Sequence, residues 1–405
     1  MTRLIATYRV RCPASEIASV AHALALEQSV EAPDEAVTDP WVRAHVLGQV
    51  SAIRRIDDDL HDVDLALSLA TTGLDCAQTV NMLFGNSSLH AHVSLVDVAF
   101  PDALVRALRG PRFGIDGLRA RLGVHGRALT CSALKPQGLP VAELARLCET
   151  MALGGVDVIK DDHGLADQAY APFAERVAAC QRAVERARRV TGRATVYVPS
   201  LVGAPKALMR QCAIVRDEGV GMVLLAPSLL GLPVFHELVH DALDVPVLAH
   251  PAFGGAARVA PPLLIGRLYR LLGADAVIYP NYGGRFSYTE QTCAAIAGAA
   301  RDAWPGVRPA VPVPAGGMTV ERVPELLRFY GPDVMLLIGG SLLLAGDRLR
   351  ERTQAFADAA AAASAAGAAA ASNAAATGEA ASGVAATGVA APNVAAPGPA
   401  GKEPT

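Results

Sequence analysis

The sequence predicts an α/β protein: a C-terminal (β/α)8 barrel of the TIM type, preceded by a small α+β, ferredoxin-like N-terminal domain. Three observations support that expectation. First, short apolar runs rich in β-branched residues recur between about Leu129 and Leu343: LTCSAL, DVIKDD, TVYVPS, MVLLAP, VPVLAH, DAVIYP, AVPVPA and VMLLIG. Such near-continuous hydrophobicity marks strands buried on both faces. Second, the stretches between them, such as VAELARLCETMALGG, RVAACQRAVERARRV and PPLLIGRLYRLLGA, have helical spacing. Several close on glycine, which tolerates the left-handed turn after a helix. Third, eight strand–helix units in roughly 230 residues match a closed parallel barrel. A doubly wound open sheet is the competing pattern.

Residues 1–125 follow another rule. ATYRVRC and DVDLALS alternate apolar and polar positions, as half-exposed antiparallel strands do, with helices expected at ASEIASVAHALALEQS and DCAQTVNMLFG. The barrel is expected over 126–358. From Ala359 to 405 the chain is nearly all Ala, Gly, Ser, Thr, Asn and Pro. Such side chains bury too little surface to offset ordering, so this tail reads as disordered beyond a few added helical turns.

The full chain has 405 residues and a formal net charge of -3, with no basic block, so nothing favours nucleic acid or an anionic membrane as partner. Its longest apolar stretch, GVGMVLLAPSLLGLPVF, is broken by Gly and Pro and is too short to span a bilayer. The 7 cysteines are scattered without a C-x-x-C pair, and the first residues lack a secretory pattern. Both facts suggest reduced thiols and a cytoplasmic protein.

A barrel of this kind places its active site at the C-terminal strand ends. Those ends carry Lys135, Pro136, Gln137 and Gly138, then Lys160, Asp161, Asp162 and His163. Ser200 and His250 follow, then Tyr279, Asn281 and Arg285, and finally the pairs Gly316–Gly317 and Gly339–Gly340. Bare backbone amides approach phosphate closely, and the two glycine pairs fall after strands seven and eight, the common phosphate position. The carboxylates of the KDDH run suit a hard cation such as Mg2+; a surface loop with a salt bridge is the plainer alternative. His236 and His240 lie four apart on a helix with no third ligand in view.

These motifs resemble the RuBisCO superfamily, and within it the non-carboxylating RuBisCO-like proteins. DVIKDDHGLADQ is similar to that family's metal-site signature, LKPQGL to its lysine–proline motif, and LAHPAFGG to its fifth-strand histidine segment. VPAGGM and LIGGS resemble its phosphate loops, and LEQSVE and FGNSS resemble two segments that cross its dimer interface. The resemblance implies that Lys160 takes up carbon dioxide as a carbamate and, with Asp162 and His163, holds Mg2+, with Mn2+ also tolerated. It implies an acid–base or electrostatic role for Lys135, substrate contacts for His250, and phosphate binding by Gly316, Gly317, Gly339 and Gly340. Glu27 and Asn86 would complete the partner's site in an obligate homodimer.

The departures from the family point away from carboxylation. Gln137 replaces a second lysine, Pro251 replaces a phosphate-binding arginine, and Arg285 falls near the mobile-loop lysine. His163 replaces a glutamate, as a softer neutral ligand or as an acid or base. The expected reaction is therefore enolate stabilisation on a phosphorylated keto sugar or sugar acid. The first expectation is decarboxylation of 3-oxo-isoapionate 4-phosphate, with Arg285 meeting the carboxylate. The alternatives are enolisation or isomerisation of a methionine-salvage sugar phosphate such as 5-methylthioribulose 1-phosphate, a transcarboxylase or hydrolase of the isoapionate compound, and a non-catalytic scaffold dimer.

Overall fold

Alternation of buried and exposed side chains builds the N-terminal sheet. Along β1 (Arg3–Arg11), Leu4, Ala6, Tyr8 and Val10 turn inward. The computed structural model describes residues 2–284 and 286–377. In it β1 pairs antiparallel with β3 (Leu60–Ser68) and β4 (Val93–Ala99), while β2 (Gln49–Asp57) pairs only with β3. The strand order is β2-β3-β1-β4, with helices Ile17–Glu27 and Cys76–Phe84 in the connections, which is the ferredoxin-like arrangement expected. Strands β2 and β4 were not anticipated. All but one of the β2 residues are exposed, and register shifts at Val50/Ala52 and Arg55/Asp57 break its ladder, so no alternation survives in its sequence.

The barrel strands are β5 (Leu129–Leu134), β6 (Val158–Asp161), β7 (Val196–Val198), β8 (Val223–Leu225), β9 (Val247–Ala249), β10 (Ala276–Pro280), β11 (Val311–Ala315) and β12 (Met335–Leu337). They form one 8-stranded sheet in the order β7-β6-β5-β12-β11-β10-β9-β8, and every ladder within it is parallel. A bridge between Ser200 and Leu224 joins the β7 and β8 sides. The closed barrel is thus observed, and the open sheet is not.

Side chains alternate between two cores. Leu129, Cys131, Val158, Val198, Leu224, Leu248, Ile278, Val313 and Leu337 fill the barrel, while Ile159, Tyr197, Val223, Val277 and Leu336 face the helices. Truncating one of the inner leucines to alanine costs about 2–5 kcal/mol. The floor is plugged by the helix Gly114–Leu122, whose Ile115, Leu118 and Leu122 join the inner cluster. Asp275 anchors that helix, accepting hydrogen bonds from the Phe113 and Gly114 N–H groups.

The last helix, Leu349–Thr377, passes position 359 without a break. Ala360 is buried, and the Ser364 hydroxyl accepts from the Ala128 N–H at the base of the barrel. The rest of the expected tail, 378–405, lies outside the described residues. All seven cysteines are buried and unpaired. Among the described residues no helix is long and apolar enough to cross a membrane.

Candidate active site

Strand alternation sorts the KDDH run. Lys160 points into the barrel mouth, Asp161 points outward under the helices, and Asp162 follows on the mouth side. All three are buried. They do not form the surface loop that was the plainer alternative.

Asp162 is the hub. Its Oδ1 accepts from the Lys135 ammonium at 2.9 Å, from the His163 N–H at 3.0 Å and from His163 Nδ1 at 3.2 Å. Among the described residues no hydrogen bond reaches its Oδ2. Burial alone would raise the Asp162 carboxyl, but these bonds and the charges of Lys160 and Lys135 hold it well below the usual carboxylate range. Burial also pulls the Lys160 ammonium down, against the attraction of Asp162. Its Nζ donates to the Asp161 carbonyl at 2.9 Å.

His163 reaches across to the loop after β9 and stacks on His250, with ring centroids 4.2 Å apart and planes 12° from parallel. A carboxylate can only accept, so His163 donates from Nδ1, and in the neutral ring its Nε2 is left as an acceptor. His250 is the complement. Its Nδ1 accepts from the Ala252 N–H at 3.1 Å, which leaves Nε2–H as donor. Burial, then the charge of nearby Lys160, push its pKa down to about 2, so the ring stays neutral.

The glycine pairs follow β11 and β12, and β12 is the neighbour of β5 in the barrel. Gly316 and Gly317 both have positive φ, 85° and 72°, conformations that strain other residues. A methyl group on Gly284 would collide with the Gly316 carbonyl, so the loops after β10 and β11 touch through bare backbone. Gly339 lies beside Ala133 and the Lys135 side chain, and Gly340 faces open space. Arg285 lies outside the described residues.

Glu27 and Asn86 meet in the N-terminal domain, the Asn86 amide donating to Glu27 Oε1 at 2.8 Å. The same amide donates to Glu31 at 3.0 Å, and these three residues line a cleft of about 160 Å3. Glu31 was missed from sequence; its φ of 49° is a backbone feature that no composition reveals. Besides Asp161, two more residues expected at the mouth are not there. Tyr279 packs edge-on to Tyr330 in the helix layer, and the buried Asn281 accepts from the Tyr330 hydroxyl at 2.6 Å. Strand parity turns both outward. His236 and His240 lie apart from the mouth with their rings tilted 57° to each other, and His236 Nε2 meets the Leu108 carbonyl at 3.2 Å.

Among the described residues no three His, Cys, Asp or Glu side chains converge as a metal site. The unmodified donors at the mouth are Asp162 Oδ2 and His163 Nε2, beside two lysine ammonium groups. That balance repels a dication. Converting Lys160 to a carbamate removes one positive charge, adds an anionic oxygen donor and makes the set fit a divalent ion.

The fold is a (β/α)8 barrel with a cluster of polar and charged side chains at its C-terminal strand ends, where barrels of this kind carry their active sites. Residues 114–242 match the family model "Ribulose bisphosphate carboxylase large chain, catalytic domain". The chain is 52% identical over 360 residues to the ribulose bisphosphate carboxylase-like protein 1 of Rhodopseudomonas palustris, covering 89% of this chain and 98% of that one. It is 51% identical over 362 residues to the 5-methylthioribulose-1-phosphate isomerase of Rhodospirillum rubrum, covering 89% and 97%. A 2,3-diketo-5-methylthiopentyl-1-phosphate enolase of Geobacillus kaustophilus is 36% identical over 288 residues, 69% of this chain and 70% of that one. The crystal structure of the Rubisco-like protein from Rhodopseudomonas palustris superposes with a TM-score of 0.84 at 47% identity, covering 89% and 98%. The chain belongs to the RuBisCO-like proteins. The activities named for these relatives are an isomerisation and an enolisation, so the decarboxylation expected first gains no support, whereas its methionine-salvage alternative does.

Proposed function

We propose that this protein isomerises 5-methylthioribulose 1-phosphate or a close analogue, moving a proton between carbons of the ketose through an enediolate. The observation that carries the proposal is the 51% identity, over 97% of its length, to an isomerase of that compound. The mouth is suited to the chemistry. Gly316, Gly317, Gly339 and Gly340 offer backbone N–H groups to the phosphate. The exposed side chains of Phe253 and Phe286, after β9 and β10, supply apolar surface for a thiomethyl group.

Each polar residue has a task in this scheme. Lys135 places a positive charge and a transferable proton beside the developing oxyanion. His250 Nε2–H holds a substrate oxygen, and His163 Nε2 accepts a proton or ligates. Lys160 as its carbamate, Asp162 and His163 would hold Mg2+, or Mn2+, which when bound supplies Lewis-acid stabilisation of the enediolate charge. Glu27 and Asn86 would serve the partner subunit's site in a homodimer.

The test is an NMR-monitored incubation of the purified protein with bicarbonate and Mg2+. 5-Methylthioribulose 1-phosphate and a phosphorylated 3-oxo sugar acid are offered separately. Conversion of the first without release of carbon dioxide is expected. Carbon dioxide released from the second, with the first unchanged, would restore the decarboxylase.

A further inference from the structure

Asp161 lies between two mouth residues in sequence yet takes no part in the mouth. Its Oδ2 accepts from Arg176 Nε at 3.1 Å and from the Ser200 N–H at 3.1 Å, and its Oδ1 accepts from the Tyr197 hydroxyl at 2.8 Å. Arg176, on the helix Phe173–Thr191, is fully buried at 0% exposure. Its two remaining nitrogens donate to the Ala171 carbonyl at 2.5 Å and the Ala166 carbonyl at 2.7 Å. One planar guanidinium thus joins the end of β6 to both halves of the loop that begins with Asp162 and His163. Through Asp161 it also ties in the end of β7.

We propose that Arg176 is a positioning residue. By gripping Asp161 and the Ala166 and Ala171 carbonyls it fixes the segment that presents Lys160, Asp162 and His163. A buried ion pair is no better for stability than an apolar pair of similar volume, because desolvation offsets its attraction. What an apolar pair cannot do is set the spacing of two carbonyls and a carboxylate, which the rigid fork of arginine does and the single ammonium of lysine does not. Asp161 and Asp162 share a peptide unit, so displacement of the outer carboxylate moves the inner one. An error of about 1 Å at a reacting group costs on the order of 10²-fold in rate.

This inference deepens the isomerase proposal and depends on it only for its kinetic arm. The deciding variant is the double substitution Arg176→Met with Asp161→Leu, which removes the clamp without leaving a lone buried charge. We expect its thermal midpoint to stay within a few degrees of wild type, since such swaps are often near neutral. Amide exchange over residues 163–171 should quicken by at least about tenfold, and kcat should fall about 100-fold with KM changed far less. A purely structural pair predicts otherwise: kcat would stay at the wild-type value once the midpoint is preserved. That result, or unaltered exchange in the loop, overturns the proposal. Should the double variant not fold, Arg176→Lys keeps the charge but not the fork and is read the same way. The exchange arm needs no substrate. A wild-type protein inert toward the ketose would therefore sink the isomerase proposal while the loop measurement still decides the clamp.

Discussion

The two ends of β6 each carry an aspartate, and the pair behave in opposite ways. Asp157, at the floor, has both oxygens occupied. Arg127 donates to Oδ1 at 2.7 Å and to Oδ2 at 2.8 Å, and the Thr130 N–H and hydroxyl donate to Oδ2 at 2.8 and 2.9 Å. Asp162, at the mouth, has three donors crowded on one oxygen and none on the other among the described residues. The first arrangement is closed, with donors matching acceptors and charge matching charge. The second is open, with a surplus of positive charge and an unused lone-pair site. A carboxylate with every site filled holds the fold; one with a site left over can bind something else.

Substitutions at the two ends should separate cleanly. Lys160→Met is expected to lower kcat by at least about 10³-fold, since it removes the anionic donor and the charge balance together, while circular dichroism and the melting curve stay near wild type. Full activity in that variant would remove the mouth of β6 from the chemistry. Asp162→Asn keeps the shape but loses the carboxylate charge and unpairs the Lys135 ammonium, and a fall in kcat of about 10²-fold is expected. A change confined to KM would instead mark Asp162 as a binding group. At the floor the effect changes kind. Asp157→Asn should cost about 2–4 kcal/mol in urea unfolding, by unpairing Arg127, with kcat of the folded protein unchanged.

The smallest expected effect is one of pH. Burial, first, and the neighbouring His236 and Arg109 charges lower the His240 pKa to about 4. The unfolded chain takes up this proton near pH 6.5, before the folded one does, so the neutral ring's contribution is complete above that pH. It is lost as the pH falls from about 6.5 to about 4. Because the ring is partly solvated the loss should be about 1 kcal/mol. His240→Gln should flatten that part of the stability profile; an unchanged slope would assign the acid sensitivity to other groups.

Much of this was legible in the sequence, for identifiable reasons. The runs 129–134, 276–280 and 311–315 are strands over their whole expected length or nearly so, because burial on both faces leaves an unbroken apolar signal. The exposed, bulged β2 left none. At the site, Lys135, Lys160, Asp162, His163 and His250 were all named from strand-end position and do come together: Lys135 and His163 through bonds to Asp162, His250 through the imidazole stack, and Lys160 through its charge. The outward turns of Asp161, Tyr279 and Asn281 were hidden by that same two-sided burial: when both faces are apolar, parity does not say which face is the barrel interior. Arg176 had a signal that was passed over, a cation among Phe173, Val177 and Cys180 on the buried face of a helix. Such a residue needs a buried anion, and Asp161 was available.

The most direct measurement is a crystal structure grown with bicarbonate, Mg2+ and an unreactive phosphorylated ketose analogue. The expected density shows a carbamate on Lys160 and the free oxygen of Asp162 on one ion, with the phosphate against Gly316, Gly317, Gly339 and Gly340. Lys160 left unmodified with no ion beside Asp162, or the phosphate bound away from the glycines, would contradict the assignment of this mouth as the reaction centre.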